Sequence, residues 1–395
     1  MIVTPIPPQA HGALAARLQA RGWSPELAAD AVSGLEPAAF LFEGLHDDAQ
    51  MALLRQAGAL GLDCLTGAGW AMLAGSRSRL GSLARPWLQP DALRELSTAL
   101  GLAMPADPDP VWRIAGRQIR LDRPQIMAIL NVTPDSFSDG SAVPGDVGAA
   151  LARAESQIAA GATIIDVGGE STRPGRTSVV PAEEEIARVV PVIRALVRAQ
   201  PSIAISVDTV KGDVAEAALE AGAAIVNDVS GGRLDPRLLA VAARAGAGVV
   251  LMHSRGANLE LAAYTHADYD DAPGTVLREL GATVHAAREA GLSDAQIVVD
   301  PGLGFGKTPA QTLSVLHELS GLRALGLSVL VGPSRKRFLG SVSDRPVAER
   351  DALSATACAL AFERGARIFR VHAARPTADA LALVSAMRDA RSERA

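Results

Sequence analysis

The sequence predicts an α/β protein in which a (β/α)8 TIM barrel follows a smaller α/β or α+β N-terminal domain. Three observations predict this fold: eight short apolar runs, a longer helical pattern after each run, and a proline-rich linker before the first. Strand-helix alternation without reversal requires parallel strands joined by helical crossovers. Eight such units indicate a closed barrel, and the alternative is an open doubly wound sheet.

The N-terminal domain is predicted to span residues 1–108. It contains helical patterns at Pro25–Ser33 and Asp47–Leu60 and candidate strands at Ala38–Phe42 and Trp70–Ala74. No cluster of polar residues in this region suggests catalysis, so its expected role is structural or in oligomerisation.

A linker and hairpin are predicted over residues 109–125. The segment from Pro105 to Pro110 repeats proline, which fixes φ and removes backbone donors. From Val111 to Leu121, apolar positions alternate around the turn sequence Ala115-Gly116-Arg117, a pattern typical of a β-hairpin.

The barrel is predicted over residues 126–395. Its strands are expected at Ile126–Leu130, Thr163–Val167, Ile203–Ser206, Ala224–Val226, Gly248–Met252, Gln296–Val299, Ser328–Val331 and Arg367–Val371. Its helices are expected at Val147–Ala160, Ala182–Ala199, Lys211–Ala221, Asp235–Ala245, Gly274–Ala290, Pro309–Ser320, Val347–Arg364 and Pro376–Arg388.

The composition excludes several classes of partner. The net charge is only −5 over 395 residues and no block of like charges occurs, so neither a nucleic acid nor a membrane surface is an expected partner. No apolar run approaches the roughly 18 residues that a membrane span needs. The first ten residues lack the basic and apolar segments of a secretory signal. The two cysteines, Cys64 and Cys358, are far apart, which argues against a disulfide framework and fits a cytoplasmic protein.

The sequence uses arginine for nearly every basic position. Only Lys211, Lys307 and Lys336 are lysines among 38 basic residues. A compact, flexible ammonium differs physically from a planar guanidinium, so these three positions are candidates for specific roles. Chance retention of any one of them is the alternative.

Each predicted strand ends in polar or glycine-rich residues. Because catalytic groups of a barrel gather where strands run into their following loops, these motifs indicate one site. The eight segments begin at Asn131, Asp166, Ser206, Asn227, Met252, Asp300, Gly332 and Arg370.

Several of these residues also have a simpler interpretation. Asp166 and Asp228 are expected to be helix N-caps, the usual role of an aspartate after a strand. Asn227 alone is compatible with a turn, and His253 is interpreted as a hydrogen-bonded core histidine. Asp208 and Asp300 are better explained by a shared site, because two strands deliver them to the same rim.

An anion site is predicted at the end of the last strand. Arg370 and His372 are two positions apart, so their side chains lie on the same side of the strand. Arg173, Arg335 and Lys336 are candidates to extend this site, which predicts a phosphorylated substrate. The segment ending Gly306-Lys307-Thr308 is not a P-loop, because Pro301 occupies the place of the first glycine.

Taken in order, the motifs resemble those of the dihydropteroate synthase family. They are Asn131 to Gly140, Asp166 to Gly175, Ser206 to Thr209, Asn227 to Gly231, Asp300 to Thr308, Ser334 to Lys336 and Arg370 to His372. The resemblance covers about residues 126 to 390. It departs from the family at Arg337 and Ala373, where serine and aspartate are common, and at Ser141, which replaces a glycine.

The resemblance implies a condensation of 6-hydroxymethyl-7,8-dihydropterin pyrophosphate with p-aminobenzoate in folate biosynthesis. The implied pterin contacts are Asp208, Asn227, Met252, Asp300, Phe305 and Lys336. The implied pyrophosphate contacts are Asn131, Arg370 and His372, with Asn131 also a ligand of the cofactor Mg2+. The implied p-aminobenzoate contacts are Pro134, Phe137, Thr172, Arg173 and Arg337.

Asp139, Arg173 and Lys336 are the implied catalytic residues, with Asp139 stabilising positive charge on the pterin. A homodimer is implied by the family alone. Two alternatives remain: a pterin-binding methyltransferase domain on the same barrel, and a non-catalytic pterin-binding paralogue. The anion site argues against the first, and the two complete motifs that begin at Asn131 and Asp166 argue against the second.

Overall fold

The computed structural model describes residues 37–83, 89–93, 96–97, 100, 111–133, 146–170, 178–261 and 263–393. The chain divides into two compact units, one containing Met1–Ala106 with Ser385–Ala395 and the other Asp107–Val384. None of the described helices is long and apolar enough to cross a membrane.

The smaller unit contains a three-stranded antiparallel sheet with the order β1-β3-β2. Its elements are β1 (Pro37–Glu43), α1 (Asp47–Leu60), β2 (Asp63–Gly67), β3 (Trp70–Ser76) and α2 (Arg77–Leu83). The two predicted strands and the second predicted helix are confirmed, whereas the predicted helix Pro25–Ser33 lies outside the described residues. Strand β2 was not predicted, because its five residues carry no apolar alternation and it forms by pairing with β3.

The larger unit begins with the predicted hairpin, formed by β4 (Val111–Ile114) and β5 (Arg117–Arg120). Ala115 and Gly116 have positive φ values of 40° and 77°, as the tight turn of a hairpin requires. The Trp112 indole donates a 2.8 Å hydrogen bond to the carbonyl of Gln296, and Trp112 is almost completely buried. The hairpin therefore covers the end of the barrel at which the strands begin.

Eight parallel strands form a closed barrel, so the open-sheet alternative is excluded. Each strand pairs with its successor in the chain, and the last pairs with the first through Ile368 and Gln125. The strands are β6 (Gln125–Asn131), β7 (Ile164–Gly168), β8 (Ala204–Asp208), β9 (Ile225–Asp228), β10 (Gly248–Met252), β11 (Ile297–Asp300), β12 (Ser328–Val331) and β13 (Ala366–Val371).

Helices surround the barrel, and most agree with the predicted positions. They are α3 (Val147–Ala159), α4 (Ala182–Ala199), α5 (Gly212–Glu220), α6 (Arg237–Arg244), α7 (Ala272–Glu289), α8 (Pro309–His317), α9 (Arg337–Ser343), α10 (Asp351–Glu363) and α11 (Ala374–Glu393). Helix α9 was not predicted. The helix predicted from Val347 begins only at Asp351, because a separate 3-10 turn occupies Val347–Glu349.

Alternation along the strands separates two environments. Outward-facing residues such as Val167 and Val299 pack against the helices. Inward-facing residues form an apolar floor with Trp112 and Ile114, and this floor consists of Met127, Ile164, Ala204, Ala224, Ile225, Val250, Val298, Leu330 and Ile368. Because residues two positions apart share one side of a strand, the residues that follow the floor also face the interior.

Candidate active site

The candidate site lies directly above the apolar floor. Its residues stand two positions after a floor residue on the same strand, and they are Asp166, Asn227, Met252, Asp300 and Arg370. Asp208 stands four positions after Ala204, and strand pairing places it beside Asn227. The strand period therefore explains why polar side chains from several strands meet in the interior.

Arg370 is held between two carboxylates. Its Nε donates a 2.7 Å hydrogen bond to Oδ2 of Asp166, and its Nη2 donates to Oδ2 of Asp208. Burial lowers the pKa of this guanidinium, but the two carboxylates outweigh burial and the net pKa is raised. Arg370 is 19% exposed, so it reaches the mouth of the barrel while its charge is balanced from below.

Asp166 is not a helix cap, so that expectation is wrong. It lies inside β7, is fully buried, and accepts a 2.9 Å hydrogen bond from Nδ2 of Asn227 in addition to the bond from Arg370. Since the Nδ2 of Asn227 donates to Asp166, its Oδ1 points away from Asp166 and is left to accept from another group. Asn227 is consequently a positioned side chain rather than a turn residue.

Asp228 does not cap a helix either. Its carboxylate accepts hydrogen bonds from the backbone N–H and hydroxyl of Ser230, both 2.7 Å, and from the N–H of Gly232. Helix α6 begins only at Arg237, so Asp228 stabilises the loop after β9 instead. Asp228 faces away from the interior because it is one position beyond Asn227.

Burial raises the pKa of the Asp208 carboxyl to about 7, although the charge of Arg370 acts in the opposite direction. Burial also raises the pKa of Asp300, with Lys336 opposing it. Both carboxylates are thus poorly solvated hydrogen-bond acceptors, a condition in which an N–H donor of a ligand binds strongly.

Lys336 lies over the other half of the site. Its ammonium donates a hydrogen bond to the carbonyl of Leu303 and lies 4.3 Å from the centre of the Phe305 ring. Burial lowers the pKa of Lys336 to about 8. Phe305 packs with Met252 in an apolar cluster that forms one wall of the site and also contains Val210, Val229 and Leu261.

Two further groups lie at the ends of neighbouring strands. Nδ1 of His372 is 2.9 Å from the hydroxyl of Ser334, and that hydroxyl accepts a 3.1 Å hydrogen bond from the His372 N–H. Oδ1 of Asn131 and Oδ2 of Asp208 lie 3.3 and 3.7 Å from the point that a Cβ on Gly168 would occupy. The amide and the carboxylate therefore face one small region, and only glycine leaves it open.

Arg335 does not join the anion site, contrary to the expectation. Its guanidinium forms two 2.7 Å hydrogen bonds to Asp351 at the start of α10. The exposed Arg337 stacks over the ring of Tyr264 at 4.1 Å. Arg370, His372 and Lys336 therefore remain as the described basic residues at the predicted anion site.

The family profile described as pterin binding enzyme matches residues 127–372. A dihydropteroate synthase of Synechocystis is 44% identical to this chain over 251 residues, which are 63% of this chain and 85% of the relative. This chain belongs to the dihydropteroate synthase family. The family member of Bacillus subtilis is 42% identical over 263 residues, which are 66% of this chain and 88% of the relative.

Solved structures of this family match the barrel. The dihydropteroate synthase of Xanthomonas albilineans with 4-aminobenzoic acid has a TM-score of 0.65 and 44% identity over 70% of this chain and 98% of its own. The same enzyme in complex with 7,8-dihydropteroate has a TM-score of 0.61 and 39% identity over 71% and 99%.

Five family positions lie outside the described residues. They are Pro134, Phe137, Asp139, Thr172 and Arg173, which follow β6 and β7 in the sequence. The described residues on either side of positions 171–177 are linked to each other, since Glu170 accepts a 3.2 Å hydrogen bond from the N–H of Val180.

Sequence reasoning did not assign roles to Lys211 and Lys307, although their rarity was noticed. The Lys211 ammonium binds the carboxylates of Glu170 and Glu185, which joins the β7 loop to α4. Lys307 is fully buried behind the loop after β11 and binds His253, which is a hydrogen-bonded core histidine as predicted. The scarcity of lysine was the signal that could have identified both residues.

Proposed function

We propose that this protein is a dihydropteroate synthase, which condenses 6-hydroxymethyl-7,8-dihydropterin pyrophosphate with p-aminobenzoate to give 7,8-dihydropteroate and pyrophosphate. One observation carries the proposal: Asp208, Asn227, Asp300 and Lys336 converge above an apolar floor. They do so in a chain 44% identical to a dihydropteroate synthase.

The pterin fits this set of groups because its edge alternates N–H donors with nitrogen and oxygen acceptors. The two carboxylates, Asp208 and Asp300, accept from the N–H groups of the ring. The Asn227 carbonyl accepts and the Lys336 ammonium donates. The flat faces of the ring contact the side chains of Met252 and Phe305, which are buried in one apolar cluster.

The pyrophosphate is proposed to bind at Arg370, His372 and Asn131. Arg370 is already paired with two carboxylates, which limits how strongly it holds product pyrophosphate. A cation that is balanced in this way stabilises charge developing on the leaving group without trapping it, because only part of its charge is available.

Magnesium is proposed as the cofactor. The fit rests on the Asn131 amide oxygen, which lies beside the Asp208 carboxylate above Gly168. Mg2+ prefers oxygen ligands and substrate phosphates, so one protein oxygen suffices when the pyrophosphate supplies others. The ion would hold pyrophosphate oxygens and neutralise their charge.

The second substrate, p-aminobenzoate, is proposed to contact Pro134, Phe137, Thr172, Arg173 and Arg337. Pyrophosphate departs from the exocyclic methylene carbon of the pterin, and the C–O bond breaks with its electron pair on oxygen. The arylamine nitrogen then forms the new C–N bond and loses one proton. An arylamine is unprotonated near neutral pH, so no strong protein base is needed. Asp139 and Lys336 stabilise the opposite charges that develop on the pterin and on the leaving group.

The decisive experiment measures pyrophosphate release by the purified protein with Mg2+ and the pterin pyrophosphate, with and without p-aminobenzoate. We expect release that depends on p-aminobenzoate, with dihydropteroate as the second product. The Asp300→Asn variant is expected to lose this activity, while Asp294→Asn, at the exposed start of the turn before β11, retains it. Tight pterin binding without turnover would support the methyltransferase or the binding paralogue instead.

A homodimer is proposed from the family resemblance, and a cytoplasmic location is proposed from the cysteine usage of the chain. Both cysteines are free, and Cys358 is buried, which fits a reducing compartment. Sedimentation at several concentrations tests the first proposal, since a dimer that dissociates on dilution changes its apparent mass. Fractionation of the source cells tests the second.

A further inference from the structure

Backbone carbonyls of the loop after β11 accept hydrogen bonds from the side chains of Lys307 and Lys336. Gly302, Gly304 and Gly306 have positive φ values of 66°, 77° and 54°, which glycine adopts without strain. This backbone directs two carbonyls to Lys307, whose Nζ donates to Gly302 at 3.1 Å and to Phe305 at 3.0 Å.

The third donor of Lys307 is also used. Its Nζ lies 2.8 Å from Nδ1 of His253, and the lysine side chain is completely buried. An ammonium has three N–H donors and no acceptor, so three acceptors satisfy it. Burial lowers the pKa of Lys307 to about 7, with the negative charge of Asp300 opposing it. In the ammonium form, these three protein groups replace the hydration shell, and the shared nitrogen fixes their relative positions.

His253 is oriented for this contact from the opposite side. Its Nε2 lies 2.8 Å from Oε2 of Glu279 on α7, and Arg255 donates a 3.1 Å hydrogen bond to the same oxygen. Burial lowers the pKa of His253 to about 4, so the ring is neutral near pH 7. With its proton on Nε2 facing the carboxylate, its Nδ1 accepts from the lysine.

We propose that Lys307 is a positioning residue for the pterin site, a buried hydrogen-bond donor around which the loop folds so that Asp300 and Phe305 lie where they contact the ring. The loop connects these groups directly, because Oδ1 of Asp300 accepts a 2.7 Å hydrogen bond from the Gly302 N–H. The Phe305 side chain is a hydrocarbon ring and cannot form a hydrogen bond. Lys307 holds this residue through the Phe305 backbone carbonyl instead. The inference rests on the proposed function for the identity of the ligand.

This role explains why the position is lysine in a chain with only three lysines among 38 basic residues. The three acceptors surround one nitrogen atom. A guanidinium spreads five donors over a planar fork and is larger, so it cannot place one nitrogen at their centre. Lys307→Arg is therefore expected to fail as a replacement, although it preserves the charge.

The test compares Lys307→Met and Lys307→Arg with the unmodified full-length protein. Hydrogen exchange of the amides at 302–307 is expected to accelerate in both variants. The Kd for 6-hydroxymethylpterin is expected to rise by about tenfold or more, since one buried charged donor is lost. The KM for p-aminobenzoate is expected to change much less. Arg288→Met, which removes a cation from an exposed ion pair, is the matched control and should leave both readouts unchanged.

A rescue experiment separates positioning from general folding. Lys307→Ala leaves space for a small amine, so propylammonium should restore pterin binding whereas propanol, of similar size and no charge, should not. A folded Lys307→Met variant with unchanged exchange and unchanged Kd would overturn the proposal.

If the Lys307 variants do not fold, Glu279→Leu decides the question, because it removes the acceptor that orients His253 and Glu279 is 41% exposed, so it tolerates substitution more readily. We expect faster exchange of the loop and weaker pterin binding, and unchanged values for both would overturn the proposal. If the unmodified protein does not bind a pterin, the proposed function fails, while hydrogen exchange still reports whether Lys307 orders the loop.

Discussion

Arg370 donates a 2.7 Å hydrogen bond to Asp166 across the interior of the barrel, from β13 to β7. The two residues are 204 positions apart in the sequence, and β6 lies between their strands. Asp166 is fully buried and also accepts from Asn227. This carboxylate therefore orients one proposed pyrophosphate contact and one proposed pterin contact.

Asp166→Leu is expected to destabilise the protein by about 3 kcal/mol, because Arg370 loses one of its two buried carboxylates and the buried Asn227 amide loses its acceptor. Activity should fall as well, since Arg370 and Asn227 lose a shared acceptor. Urea unfolding and steady-state kinetics measure the two effects. Wild-type values of stability and kcat/KM would show that the pair has no positioning role.

Pterin affinity is expected to fall as the pH is lowered through 7. Burial raises the pKa of Asp208 to about 7, and the ionised carboxylate is the form that accepts hydrogen bonds from the pterin. Below this pH the protonated fraction grows, so Kd should rise by up to about tenfold per pH unit. Pterin titrations between about pH 5.5 and 8.5 test this. Asp208→Asn should bind weakly with a flatter profile, and a constant wild-type Kd across this range would contradict the assignment.

Asp351→Asn is expected to weaken pterin binding, although Asp351 is not among the proposed pterin contacts. Arg335 adopts a left-handed φ of 58° and is held by two 2.7 Å hydrogen bonds to Asp351, immediately before Lys336. The pair is partly exposed, so its loss should cost only about 1 kcal/mol of stability. Calorimetric pterin titration should nevertheless show a raised Kd, while Asp294→Asn, which weakens a more exposed pair, should not. Equal Kd values for the two variants would refute a positioning role for Arg335.

Trp112→Ala should separate stability from binding. Trp112 is 1% exposed beneath the barrel, and removing a buried indole costs about 3–5 kcal/mol. The floor residues lie between Trp112 and the site, so the variant should keep the wild-type Kd for the pterin at temperatures where it is folded. Thermal unfolding and pterin titration measure both properties. A large loss of affinity in folded protein would show that the hairpin shapes the site.

The predicted strands were confirmed, but the carboxyl ends of five of the eight barrel strands were placed one or two residues too early. The structure extends β8 to Asp208, β9 to Asp228 and β11 to Asp300, whereas the apolar runs end one or two residues before them. Asp208, Asn227 and Asp300 are polar because they face the site rather than the core. Apolar periodicity identifies only the part of a strand that is buried against other apolar groups.

The roles of individual charged residues were harder to predict from the sequence. Asp166 was interpreted as a cap and Arg335 as part of the anion site, because a strand-end position does not say which distant side chain a group will meet. Closure of the barrel brings Asp166 to Arg370, and the start of α10 brings Asp351 to Arg335. A single sequence contains no information on such pairs beyond their charges.

The sequence by itself determined the (β/α)8 barrel and the strand ends that carry the site, because periodicity and chain order are local properties. It also indicated the family, because the order of the motifs along the chain can be read directly from the sequence. Only the tertiary structure decided which residues pair with each charged side chain. Barrel closure joins the first and last strands, and burial there raises or lowers pKa values according to neighbours that are far away in the chain.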